Sequence, residues 1–269
     1  MTASVEGRYV RHEVLPEIGP AGQRKLAGST VFIAGCGALG GFQAELLARA
    51  GVGRLRIADG DRVEWHNLHR QILFQESDAE SHVLKAEAAA HRLRRINSTI
   101  AVETLAIDVN PRNAESLMAD ADIVLDATDN FETRYLLNDV CIKLRKPWVY
   151  AGVIGTRGMV MPVLPGLNGP CLRCVIPTPP KPGTIPTADT AGVLNCAVAL
   201  IASLEATLAV RILLGAPPAE IGLFHANVWK MSFDLMKVRR DEQCPCCALR
   251  SFEFLEGRRP CRTDQSIGR

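Results

Sequence analysis

The chain has 269 residues, 47% of them hydrophobic and 22% charged, with 31 basic against 29 acidic side chains. That apolar fraction excludes general disorder, and the near balance of charge leaves no global field that would favour nucleic acid or an anionic membrane. Nine cysteines, an odd count with no apolar leader at the N-terminus, favour reduced thiols and metal ligation over a disulfide framework, and a cytoplasmic protein is expected.

An amphipathic segment over residues 14–26 leads into a strand from Val31 to Ala34, a glycine loop, and a helix over 42–50 stopped by Gly51. A second strand, 55–58, ends at Asp59. Residues 81–96 are predicted as one helix, 100–109 as a third strand, and Asn110-Pro111 as the opening of another helix. A fourth strand follows at 123–125, a helix at 131–144 and a fifth strand at 148–150. Strands alternating with helices imply crossovers, and so an α/β, Rossmann-like, doubly wound and mostly parallel sheet. Beyond Gly155, strands over 159–164, 223–228 and 231–238 would extend it. Residues 177–192 hold five prolines and are expected as a mobile crossover loop. The most apolar stretch, 193–214, carries Asn195, Ser203, Glu205, Thr207 and Arg211, so it reads as a buried or interface helix rather than a membrane span. One domain over about 1–250 is expected, followed by a C-terminal tail at 251–269 that is polar and basic after Phe254.

Four constellations carry chemistry. The first is Gly35-Cys36-Gly37-Ala38-Leu39-Gly40 between a strand and a helix. Its glycines let backbone approach a phosphate, and the helix N-terminus offers free N–H groups. Asp59, 19 residues past Gly40, can accept from a ribose. This nucleotide-binding half, about 29–155, fits nicotinamide, flavin or ATP equally.

The second runs from Asp59 to Gln71, with Lys85 fifteen residues after Arg70. A triphosphate about to be split needs an arginine fork and a lysine point charge, which favours functional roles for Arg70 and Lys85. Arg92, Arg94 and Arg95 read as a solvated face. The third is Asp126-Ala127-Thr128-Asp129-Asn130 at the end of the fourth strand. A carboxylate there suits magnesium, although Asp129 could instead merely cap the next helix and Asp126 merely brace the turn. The fourth is Cys171-x-x-Cys174 with Cys244-x-x-Cys247, the donor set of a closed, structural zinc site that would staple distant segments. Cys246 leaves open which thiol of the second pair ligates. Cys36, Cys141, Cys196 and Cys261 read as core or unreactive thiols, and the six histidines as structural or solvated.

Together these residues resemble the ThiF/MoeB/HesA adenylyltransferases, bacterial relatives of ubiquitin-activating enzymes, from Arg8-Tyr9-x-Arg11 to Cys247. The glycine loop, D-x-D-x-V-x-x-x-N-L-x-R-Q, T-D-N-x-x-x-R ending at Arg134, and both cysteine pairs occur in order. The resemblance implies ATP- and magnesium-dependent adenylation of the C-terminal glycine carboxylate of a small β-grasp sulfur carrier of the ThiS or MoaD kind. The products would be an acyl-adenylate and pyrophosphate, ahead of thiocarboxylate formation. It further implies that Gly35, Gly37 and Gly40 lie against the nucleotide and that Asp59 holds the ribose. Asn67, Arg70 and Lys85 would contact the phosphates, and Asp129 would bind magnesium. Arg11 would reach the triphosphate of the other subunit of a homodimer. Many members carry a cysteine in the crossover loop, where this chain has Ala188. Either that step has been blocked by substitution, or the chain stops at the acyl-adenylate and a separate donor, such as a cysteine desulfurase or rhodanese-like protein, supplies sulfur. The competing readings are adenylation of a peptide or other carboxylate, an NAD-dependent oxidoreductase, and a non-catalytic zinc-stapled partner.

Overall fold

The computed structural model describes residues 7–181, 184, 186–218 and 220–259. Helix α1 (Val10–Glu13) precedes the amphipathic segment expected over 14–26, and α2 (Gly19–Ala27) forms most of that segment after a turn. Then come β1 (Thr30–Ala34), α3 (Ala38–Ala50) and β2 (Arg54–Ala58). Next are α4 (Glu76–Glu80), α5 (Lys85–Ile96), β3 (Ala101–Leu105) and α6 (Ala114–Met118). They are followed by β4 (Ile123–Asp126), α7 (Phe131–Leu144), β5 (Trp148–Ile154) and β6 (Arg157–Val163). The chain closes with α8 (Leu172–Val175), α9 (Ala188–Ala191), α10 (Asn195–Leu213), β7 (Gly222–Asn227) and β8 (Ser232–Lys237).

The eight strands of the described residues form one sheet, in the order β3-β2-β1-β4-β5-β6-β7-β8. The first five pair in parallel, and the last three join antiparallel. Alternation along β1 sends Val31 and Ile33 into a core beneath α3, α5 and α10, while Phe32 and Ala34 enter a second core with α6 and α7. The sheet is therefore covered on both faces. By length and composition α10 could cross a membrane, but it packs on α3, β5 and β6 and buries Glu205.

Three local expectations are corrected. Residues 81–96 are not one helix, because His82 takes φ +47° and Leu84 is extended. The break pairs 61–63 with 83–85: Val63 N–H donates to the Val83 carbonyl and Lys85 N–H to that of Asp61. Asn110 opens a turn rather than a helix, and α6 begins at Ala114. Of the expected crossover loop, 188–191 is a helical turn capped by Thr187, while 182, 183 and 185 lie outside the described residues. At the other end, Phe252, Phe254 and Leu255 are buried, and Phe254 stacks on Tyr135 with ring centroids 4.7 Å apart. Cys261 lies outside the described residues.

Candidate active site

The glycine loop leaves β1 and enters α3 at the carboxyl rim of the parallel strands, where ligands of open α/β sheets bind. Gly35 has φ +99°, and a Cβ there would lie 2.7 Å from the Ala127 carbonyl oxygen. A Cβ on Gly40 would lie 2.2 Å from the Gly35 carbonyl oxygen, so the loop closes onto α3 only without side chains. Gly37 differs: its Cβ would meet only the Gln71 amide, at 3.6 Å. Packing within the chain explains Gly35 and Gly40, and leaves the bare backbone at Gly37 facing outward.

Asp59 follows β2 and braces this loop. Its Oδ2 accepts from Cys36 N–H at 2.6 Å and its Oδ1 from Asp61 N–H at 2.9 Å. Burial raises its carboxyl above the usual range, while Lys85 and the two backbone donors pull it down. Each oxygen keeps a lone pair for a further donor. Lys85, the buried first residue of α5, donates from Nζ to Asp61 Oδ2 at 2.7 Å, which leaves two of its three protons for a ligand. The helix break at 81–84 is what brings it there.

Asn67 is buried, and its Oδ1 accepts from Glu64 N–H at 3.0 Å, fixing the turn that carries Arg70 and Gln71. Arg70 donates to the His66 carbonyl. Gln71 Oε1 is buried without a partner among the described residues, beside the glycine loop. His66, His69 and Arg70 form one wall of a cleft of about 190 Å³, and Ala188, Asp189 and Val193 help form the other. A larger cleft of about 340 Å³ lies at the opposite rim, near Lys25, Ser29 and Asp122. There Lys25 bonds the Leu214 carbonyl and Asp122 accepts from Thr30 N–H, and no glycine loop is near.

At the end of β4, Asp126 is fully buried and braces the turn as expected. Its Oδ1 accepts from Thr128 N–H and Oγ1–H, and its Oδ2 pairs with Arg134 Nε at 3.0 Å. Burial raises the Asp126 carboxyl, against the pull of Arg134. Arg134 also donates to the Thr128 carbonyl at 2.7 Å and lies over the rings of Phe131 and Tyr150. The cap of α7 is Asn130, whose Oδ1 accepts from Thr133 N–H at 2.8 Å. Asp129 is thus not the cap. It is exposed, with a long 3.4 Å contact from Asn130 Nδ2.

Arg11 is not part of this grouping. Tyr9, two residues earlier, lies against Gly51 and accepts from Asn97 Nδ2 at 2.8 Å, at the far end of α3. Thirteen helical residues, about 20 Å, separate that end from the glycine loop.

The Sγ atoms of Cys171, Cys174, Cys244 and Cys247 lie within 4.8 Å of one another, with 171–244 at 3.6 Å and 174–247 at 3.5 Å. Tetrahedral thiolates at a zinc–sulfur distance of about 2.3 Å sit about 3.8 Å apart, so the donor set fits that ion. Cys246 lies beside this group and accepts from Asn138 Nδ2, while the four thiols that cluster are those of Cys171, Cys174, Cys244 and Cys247. Cys36 and Cys141 are buried as expected, and burial pushes both thiols up. Cys196 is exposed near the start of α10, contrary to the expected core thiol.

The ThiF family model matches residues 9–246. The chain belongs to the ThiF family. A Bacillus subtilis relative named sulfur carrier protein ThiS adenylyltransferase is 42% identical over 251 residues, spanning 93% of this chain and 74% of that one. A Thermus thermophilus sulfur carrier protein adenylyltransferase is 39% identical, over 89% of this chain and 90% of its own. The Haloferax volcanii SAMP-activating enzyme E1 is 37% identical over 95% of each. The solved structure of Escherichia coli MccB with ATP superposes with a TM-score of 0.76 at 22% identity, covering 91% of this chain and 75% of that one, which establishes the shared fold.

The missed participants share one feature: their partners are distant in sequence. Asp61 and Gln71 sit inside the quoted motif, yet their roles depend on Lys85 and Gly37. Gln43 on α3 and Glu205 on α10, bonded at 2.6 Å, announce themselves only as polar residues in apolar helices.

Proposed function

We propose that this ThiF-family chain uses ATP to adenylate the C-terminal glycine carboxylate of a small β-grasp sulfur carrier protein, releasing pyrophosphate. The observation that carries this reading is the gathering at one sheet rim of a glycine loop with open backbone at Gly37, the cations Arg70 and Lys85, and an acid the helix cap does not use, in a chain 37–42% identical to sulfur-carrier-activating enzymes.

The carboxylate nucleophile is already ionised at neutral pH, so no general base is needed. The barrier is electrostatic, since an anion must attack an α-phosphate that is itself anionic. Gly35, Gly37 and Gly40 offer backbone to the phosphates, Asp59 accepts from the ribose, and Asn67, Arg70 and Lys85 stabilise charge on the departing pyrophosphate. Asp129 would hold magnesium, which supplies neutralisation of the triphosphate when bound. Its fit is supported by a carboxylate that the helix cap does not use. Arg11 would serve the site of a second copy in a homodimer, a reading supported by the position of neighbouring Tyr9 at the far end of α3 from the glycine loop. The four cysteines hold a structural zinc, with no open position for substrate.

The adenylation unit is one domain of about 250 residues acting in the cytoplasm. With Ala188 at the crossover turn, the sulfur comes from a separate donor protein. The test is exchange of labelled pyrophosphate into ATP, expected only with a carrier ending in Gly-Gly. Saturable NAD(P)H binding without ATP binding would overturn the reading.

A further inference from the structure

Beneath the rim lies a polar cluster that does not reach the cleft. Gln43 on α3, Glu205 on α10 and Asp126 at the end of β4 are all fully buried. Gln43 Nε2 donates to Glu205 Oε2 at 2.6 Å and to the Asp126 carbonyl at 3.2 Å. Asp126 in turn holds Thr128 through both backbone and hydroxyl, directly before Asp129. The three elements each lead to a different part of the site. Helix α3 begins at the glycine loop and β4 ends at the acidic turn. Helix α10 follows the crossover segment, whose Gly192 and Leu194 are hydrogen-bonded to Gly155.

Gln43 Oε1 and Glu205 Oε1 are buried and unpartnered among the described residues. Apolar side chains of similar volume would fill this space without stranding two buried polar atoms, so core stability alone does not account for the pair. We propose that Glu205 is a positioning residue for adenylation: by holding Gln43 it sets the spacing between the glycine loop and the Asp129 turn, and ties both to the helix behind the crossover segment. It acts as a neutral acid. Burial and the neighbouring Asp126 raise its carboxyl well above the usual range, with Gln43 and Arg134 opposing. A neutral carboxyl and a carboxamide have the same shape and reach, so glutamine can replace it and leucine cannot.

The inference rests on the adenylation reading for its assay. Wild type, Glu205→Leu, Glu205→Gln and Gln43→Met are compared in pyrophosphate exchange at saturating carrier, with melting temperature and zinc content measured on the same samples. Glu205→Leu and Gln43→Met should each lower kcat by about tenfold or more with little change in KM for ATP, the signature of misplaced reacting groups rather than lost binding. Glu205→Gln should retain at least about half the wild-type kcat, and the Leu/Met double variant should lose no more than either single one. Wild-type kcat in a folded Glu205→Leu, or a Glu205→Gln no better than Leu, overturns the assignment. Should Glu205→Leu fail to fold, Gln43→Met decides, and an undiminished kcat there refutes it. An inactive wild type would remove the adenylation reading and this inference together, whereas an active wild type with active variants removes only the inference.

Discussion

Replacing Asp129 by Asn and, separately, Asn130 by Ala divides two jobs that adjacent residues could share. Asn130→Ala deletes the 2.8 Å bond from Thr133 N–H that caps α7. A lost cap of this kind costs about 1 kcal/mol, which lowers the melting temperature by about 2–4 °C in a chain of this size. Asp129→Asn removes one charge from an exposed side chain whose local contact is a 3.4 Å approach, so stability should change by no more than about 0.5 kcal/mol. Under the proposed function its effect falls on chemistry: weakening the hold on magnesium, and so the neutralisation of the triphosphate, should cost about 10²–10³ in rate. Thermal unfolding and pyrophosphate exchange, run side by side, read the two quantities. An Asp129→Asn protein that melts like Asn130→Ala and exchanges at the wild-type rate would refute the division and return Asp129 to a capping role.

Arg11→Ala and Asp129→Asn, each inactive alone, should regain about a quarter of wild-type exchange when co-expressed, because half of the randomly formed dimers then hold one complete site; no recovery in isolated mixed dimers would remove Arg11 from the partner's site. Elemental analysis should find one zinc per chain, kept by Cys246→Ser and lost by Cys244→Ser. The metal-free protein should be weakened by ~3 kcal/mol or more, about 6–12 °C in melting temperature. Burial pushes the Asp139 carboxyl up to about 6, against the backbone N–H donors of Phe254 and Leu255. With an unfolded value near 3.9, the native state binds the extra proton between about pH 4 and 6. The group's stabilisation is therefore full below pH 4 and lost as pH rises through 6, by at most about 3 kcal/mol. Asp139→Asn should gain stability relative to wild type by up to that amount between pH 4 and 7 in urea unfolding, and a difference independent of pH would count against it.

The parallel strands of the fold were legible because each has its own apolar run and its own punctuation. The Cys-x-x-Cys pairs were legible because their spacing marks a candidate ligand set, apart from the choice between Cys246 and Cys247. What escaped the sequence depended on tertiary partners. Ser81 to Leu84 lacks glycine and proline, so nothing marked the break that swings Lys85 to Asp61. Asp129 and Asn130 are equally good caps by type, and only the Thr133 bond separates them. Cys246 and Cys247 are adjacent in sequence, and Asn138, over a hundred positions earlier, sorts one from the other. Cys196 sits in an apolar stretch whose exposed side could be assigned only once α10 was seated on the sheet.

The thiolate cluster has a consequence for the connectivity of the chain. Cys171 and Cys174 precede the proline-rich crossover, and Cys244 and Cys247 follow the last strand, so a metal bound there turns the intervening 69 residues into a ring clasped at its neck. A protease cut between α8 and α9 would then sever the polypeptide without releasing either piece. The metal would then act beside the pairing of β6 with β7 and the seating of α10 on α3 as one of the ties between the two pieces.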